Sequence, residues 1–257
     1  MQPHRRARGL PRVNPLTTCW TAVRVAAPLL GGLAESFWVP RLTKEHRDLR
    51  IQLWARRVLK ALRVQVKVVG TPQAAGPMLV VSNHISWLDI LALHATCHCR
   101  FVAKSNVRRW PLIGRLATAA GTFYVDRESR QDARRMVQRV ANALTDGEII
   151  AVFPEGTTGD GRDVLPFHSN LIQSAILAEA PAQPVSLQFI DGRSGELCDT
   201  VSYMGEDSLV ASIWRTMGLV DVRAVVTFGA PEFAQGRNRR AWAEDLRREI
   251  SSMRQRR

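Results

Sequence analysis

The chain has 257 residues, 46% of them hydrophobic, and a formal net charge of +13 with an isoelectric point near 11.0. That length and apolar content suit one large domain with terminal extensions better than two full domains. The charge calls for an anionic partner: nucleic acid, an acidic membrane surface or a phosphorylated substrate. Cys19, Cys97, Cys99 and Cys198 make no disulfide framework in a chain this long, which points to a reducing setting.

Basic residues crowd both ends, with His4, Arg5, Arg6 and Arg8 at the start and Arg237, Arg239, Arg240, Arg247, Arg248, Arg254, Arg256 and Arg257 at the close. The first apolar stretch starts late and lacks a small-residue cleavage pattern, so no cleavable signal peptide is expected. Trp20–Val39 approaches the length of a membrane span but carries Arg24, Pro28, Gly31, Gly32 and Glu35, which disfavours a full crossing. Next, Leu49, Ile51, Leu53, Trp54, Val58, Leu59 and Leu62 alternate with Arg47, Arg50, Arg56, Arg57, Lys60 and Arg63. This basic amphipathic pattern predicts a helix lying in a membrane interface, the alternative being an ordinary helix docked on the domain. The expected division is a basic, membrane-interacting segment over 1–63 and an α/β domain over 64–257 that ends in a basic helix.

From there strands and helices alternate. Strands are predicted at 64–69, 78–81, 101–103, 122–125, 148–153, 184–190 and 220–228, the first two separated by a turn-rich 70–77. Helices are predicted after Trp87, over 110–117, from the Ser129/Asp132 capping pair to about Leu144, over 170–178 and over 240–253. Such alternation argues for an α/β fold whose central sheet is mostly parallel and flanked by helices. His94, Cys97, His98 and Cys99 lie close in sequence, but no second ligand pair is apparent, so no metal is predicted there.

Three polar clusters follow strands. The first is Ser82-Asn83-His84-Ile85-Ser86-Trp87-Leu88-Asp89. In a continuous helix, residues five apart would point ~140° away from each other, so His84 and Asp89 converge only if His84 sits in a turn and Asp89 in the first helical turn. That arrangement suits a histidine base steadied by a carboxylate. Alternatively, Ser86 and Asp89 have capping-box spacing, and Asp89 would serve backbone N–H groups alone. The second cluster is Asp126-Arg127 after Val125, which could equally be a surface ion pair. The third is Glu155-Gly156-Thr157 after Phe153-Pro154, which could equally be a plain turn. Lys104 ends a further strand and is either an anion ligand or a solvated lysine. In open parallel sheets, ligands bind beyond the carboxyl ends of the strands, so parallel strands would bring all these groups to one cleft.

Asn83–Asp89, Gly121–Arg127 and Phe153–Thr158 resemble, in order and rough spacing, the first three motifs of the glycerolipid acyltransferase family, with bacterial lysophosphatidate acyltransferases the nearest match. The resemblance covers about Val64 to Phe189. A fourth element, Pro184-Val185, is set among more polar neighbours (Gln183, Ser186, Gln188) than the family pattern, and His168 stands where many members carry lysine. The resemblance implies O-acyl transfer from acyl-CoA or acyl-carrier protein to a lysolipid hydroxyl, without metal or redox cofactor. His84 would be the base and Asp89 its partner. Arg127 would contact the acceptor phosphate, and Glu155, Gly156 and Thr157 would shape that site. It also implies a peripheral or monotopic enzyme on the cytoplasmic face of a bacterial inner membrane, with lysophosphatidate or a lyso-ornithine lipid as acceptor. Two other classes compete. A lipid hydrolase using Ser86 would call for a G-x-S-x-G elbow, which the chain lacks. A nucleic-acid binder would account for the charge, but no zinc-finger spacing or RRM-like aromatic motif is present.

Overall fold

A computed structural model describes residues 15–126, 129–204 and 207–255. In chain order the elements are α1 (Pro15–Glu35), α2 (Lys44–Ala61), β1 (Val64–Val69), β2 (Met78–Ser82), α3 (Leu88–Thr96), β3 (Arg100–Lys104), α4 (Ile113–Ala119), β4 (Phe123–Val125), α5 (Arg130–Thr145), β5 (Ile149–Val152), α6 (Ile172–Leu177), β6 (Ala182–Asp191), α7 (Leu209–Met217), β7 (Val222–Phe228) and α8 (Arg239–Gln255). The seven strands form one sheet in the order β1-β7-β6-β2-β5-β3-β4. β6, β2, β5, β3 and β4 are mutually parallel, whereas β7 pairs antiparallel with β6 and carries β1 parallel to itself. The carboxyl ends of five strands therefore share one edge.

β2 and β5 are buried along their whole length, as continuous apolar runs must be when helices cover both faces of a parallel sheet. Their residues alternate between two cores. Val80 and Ala151 face a layer built with α2 and α3, and Leu79, Val81, Ile150 and Val152 face one built with α5, α6 and α8. Ser129 Oγ accepts the Asp132 N–H at 3.1 Å, so α5 opens on the predicted cap. The predicted 110–117 helix instead begins at Ile113, because Leu112 takes φ 61° and interrupts it; a 3-10 helix over Ser105–Arg109 precedes that break.

α2 corrects an expectation. Ala55, Val58, Leu59 and Leu62 join Val80, Leu88 and Leu93 in one core, so its apolar stripe faces the sheet layer and not a membrane. Burying each large aliphatic side chain contributes roughly 1.5–3 kcal/mol, which decides the orientation. Position 63/64, where the N-terminal segment was expected to end, falls between α2 and β1, and both contribute to this core. α1 behaves differently. It contains an 18-residue window of mean hydropathy 1.2 of which only 22% is buried, long and apolar enough to cross a membrane by length and composition.

Candidate active site

The site grows from the point where β2 leaves the sheet. Backbone pairing with β6 reaches Ser82, and the Asn83 side chain then substitutes for one more ladder residue. Its Nδ2 donates to Leu187 O at 3.0 Å, and its Oδ1 accepts from Leu187 N at 2.8 Å. This buried amide anchors the chain while the backbone turns outward, leaving His84 just beyond the sheet edge.

His84 Nδ1 lies 2.6 Å from Asp89 Oδ2. The same oxygen accepts the N–H of Ile85 at 2.6 Å and of Ser86 at 2.9 Å. Asp89 is in the first turn of α3 and fully buried, where the helix N-terminus also favours a carboxylate. One carboxylate oxygen thus takes two backbone N–H groups at the start of α3 and holds the histidine as well. An oxygen already accepting two N–H groups receives Nδ1 as a donor, which leaves the lone pair on Nε2. The imidazole stacks on Phe153 at 4.0 Å with 10° between the rings, and its side chain keeps 20% exposure. Phe153 in turn stacks on Phe101, whose ring meets buried His94 edge-on at 4.9 Å. Aromatic contact thus fixes the ring plane that the carboxylate leaves free to pivot.

β5 lies beside β2 and delivers the second turn. Glu155, 5% exposed, accepts the His84 N–H on Oε1 at 3.1 Å, tying the two turns together. Burial pushes its carboxyl up to about 7; the N–H groups of His84 and Leu165 oppose that shift, Asp89 adds to it, and Arg254 opposes it. Gly156 closes the turn with its N–H on Phe153 O at 3.1 Å and φ 70°, a conformation that disfavours any side chain. Thr157 is exposed. Thr158 Oγ1 donates to Tyr203 O, while Tyr203 N donates to Ile85 O at 3.1 Å. Gly159 N returns to His84 O at 2.8 Å.

Lys104 is exposed at the end of β3. β5 separates β3 from β2, so at the usual strand spacing Lys104 stands roughly 10 Å to the side of the His84 strand. It is in register with Val125 of β4, the strand that leads to Asp126, whose N–H donates to Asp132 Oδ2 at 2.7 Å. Arg127 lies outside the described residues. Lys104 thus belongs with the β4 end of the edge, while His84, Asp89, Glu155 and Gly156 form the compact centre.

Several contributors went unassigned from sequence. Asn83 and Phe153 were inside quoted motifs without a role. Arg254 was counted with the basic tail, yet it is only 7% exposed and donates to Gly161 O and, at 3.2 Å, to Arg162 O, bracing the loop after Glu155. Its own carbonyl accepts from Gln188 Nε2 at 3.2 Å, and Gln183 spans Thr71 O and Gly229 O at 2.9 Å each. Gln183 and Gln188 of β6 therefore serve as structural ties. Among the described residues no group of three or more His, Cys, Asp and Glu side chains is placed for a metal. Burial holds His94 down to about 4 and His98 down to about 3, and His98 Nε2 lies 3.0 Å from Asp48 Oδ1.

The family model described as Acyltransferase matches residues 63–188. The chain is 38% identical over 164 residues to the lyso-ornithine lipid O-acyltransferase of Pseudomonas aeruginosa, spanning 64% of this chain and 62% of that one. It is 34% identical over 186 residues to the 1-acyl-sn-glycerol-3-phosphate acyltransferase of Neisseria meningitidis, covering 72% of each. In structure it is similar to the lysophosphatidate acyltransferase PlsC of Thermotoga maritima, with a TM-score of 0.67 at 19% identity over 95% of this chain and 97% of that one, a likeness of fold. The chain belongs to the acyltransferase family. It is an acyltransferase, and its N-terminal α1 is long and apolar enough to cross a membrane by length and composition.

Proposed function

We propose that the enzyme moves a fatty acyl chain from acyl-CoA or acyl-carrier protein to the free hydroxyl of 1-acylglycerol-3-phosphate, giving phosphatidate. The observation that carries this reading is the 2.6 Å contact between His84 Nδ1 and a carboxylate oxygen already engaged by two N–H groups, with Nε2 left to act. His84 Nε2 takes the hydroxyl proton as the oxygen attacks the thioester carbonyl carbon. The tetrahedral adduct then collapses, the C–S bond breaks, and the departing thiolate regains the proton from the imidazolium. Asp89 stabilises that imidazolium, and such positioned proton transfer is worth ~10²- to 10⁴-fold in rate. The thioester arrives already activated, so the chemistry calls for no resident metal or redox cofactor.

Lys104 at the end of β3 and Arg127, which follows Asp126 in the sequence, supply cations for the acceptor's phosphate, while Glu155, Gly156 and Thr157 shape the wall beside it. The excess of positive charge suits an anionic membrane better than nucleic acid, and supports a place on the cytoplasmic face of a bacterial inner membrane, peripheral or monotopic. A second acceptor, a lyso-ornithine lipid, is favoured by the 38% identity to the Pseudomonas enzyme. Thiol release by the purified protein, offered lysophosphatidate or lyso-ornithine lipid with acyl-CoA or acyl-carrier protein, separates these readings. His84→Ala should lower turnover by at least ~10²-fold. Unchanged turnover in that variant refutes the mechanism, and activity confined to the phosphate-free acceptor refutes lysophosphatidate.

A further inference from the structure

α7 is built inside out. It buries Ser212 and Thr216 and turns Val210 and Trp214 outward, 75% and 50% exposed. α1 shares the pattern in its first half, with Thr18 and Thr21 fully buried and Leu16, Trp20 and Val23 exposed, while further along Val25 joins the core and Leu30 is exposed. The two helices pack on each other. In water this is the wrong way round, because each exposed apolar side chain forgoes a burial worth roughly 1.5–3 kcal/mol. In hydrocarbon the preference reverses: acyl chains are as apolar as leucine, so helices gain nothing by hiding leucines from lipid and pair through small and hydroxyl residues.

The buried hydroxyls of α7 are satisfied within the protein. Thr216 Oγ1 donates to Ser212 O at 2.9 Å, and Ser212 Oγ accepts from Trp87 Nε1 at 3.2 Å. Trp87 belongs to the same turn as His84, so α7 is coupled directly to the catalytic segment. α7 has nine residues, about 13 Å of helix, too short to span a bilayer but long enough to lie within one leaflet.

We propose that α7 is a second membrane-embedded helix, paired with α1 through their hydroxyl faces, whose Val210 and Trp214 sit among the acyl chains of an anionic bilayer. Lipid is the occupant because α7 packs on α1, whose window is span-like and only 22% buried, in a chain of net charge +13. Through Trp87 the helix then holds the His84 turn at the bilayer surface, and the acceptor enters sideways from the leaflet. That last consequence rests on the lysolipid reading above, whereas insertion of α7 does not.

The test uses full-length protein and vesicles of phosphatidylethanolamine with phosphatidylglycerol, floated in high salt. Val210→Glu/Trp214→Glu should lower the bound fraction at least about tenfold, since charged groups are strongly disfavoured in hydrocarbon. Phe233→Glu, which alters an exposed apolar residue just before α8, should float as the parent does. Chain-brominated lipid should quench the parent's tryptophan emission more than that of Trp214→Phe. Undiminished flotation of the double variant, or equal quenching with and without Trp214, overturns the proposal. So does a dimer in vesicle-free solution that the double variant alone dissolves, since a second copy would then cover the face. If flotation falls while no lysolipid supports turnover, α7 stands and the acceptor assignment fails.

Discussion

The turn after β2 and the loop after β5 are joined by hydrogen bonds at both the N–H and the carbonyl of His84, yet they are held in different ways. The His84 turn is largely self-contained: Asp89, five residues on, collects two N–H groups and the imidazole, and Asn83 pins the entry to β6. The Glu155 loop depends on distant chain. Tyr203 takes the Thr158 hydroxyl, Ser202 Oγ donates to Asp160 O at 3.1 Å, and Arg254 reaches in from the last turn of α8. The His84–Asp89 pair is therefore held mostly by its own turn, and the loop that faces it by tertiary contacts beyond the matched 63–188 region.

Asp89→Asn probes the self-contained turn most sharply. The amide cannot accept from all three donors through one oxygen and still fix the histidine tautomer. We expect turnover to fall by at least ~10²-fold, with a stability loss of about 1–3 kcal/mol from the buried group left unpaired. Urea unfolding and thiol release measured together check both; a loss of stability without loss of turnover would mean that Asp89 only caps α3.

Arg254→Met tests the dependent loop. Gly161 O and Arg162 O would lose a buried donor, lowering stability by about 1–3 kcal/mol, and turnover should drop about tenfold through displacement of the Glu155 loop. Arg254→Lys, which keeps a donor and the charge, should recover part of that activity. Equal activity in the parent and the methionine variant would show that the loop holds itself, erasing the contrast.

The smallest effect lies at the side-chain bond between the two turns, from His84 N–H to Glu155. Because burial raises Glu155 from 4.5 to about 7 in the folded protein, its contribution to stability is fully present below pH 4.5 and is lost as pH rises through 7. Glu155→Gln keeps the acceptor for His84 N–H and removes the titration. Its unfolding free energy should vary less between those pH values than the parent's, as read by urea midpoints across the range. Identical pH profiles would show that Glu155 titrates normally.

Much of the site was readable because it is local. The strand-turn-helix pattern around His84 and the Ser129/Asp132 cap involve residues three to five apart, and neighbours that close meet whatever the rest of the chain does. Arg254 gave no such signal: an arginine near a basic C-terminus reads as solvated until α8 is seen to lay it against residues some ninety positions earlier. Gln183 and Gln188 gave no sign of their ties for the same reason, since their partners Thr71, Gly229 and Arg254 are distant in sequence.

α1 and α2 mark the boundary between the two kinds of knowledge. By itself the sequence determined that both are helices with an apolar side, placed the strands that carry the chemistry, and put a histidine and a carboxylate at the spacing that lets them meet. Only the tertiary structure decided that α2 turns its apolar side into the core while α1 leaves most of its own uncovered, that β1 and β7 run against the other five strands, and that a C-terminal arginine braces the loop after Glu155. The physical reason is one of range. Periodicity and capping are set by residues within a turn or two, whereas which surface covers an apolar stripe depends on segments that folding brings together.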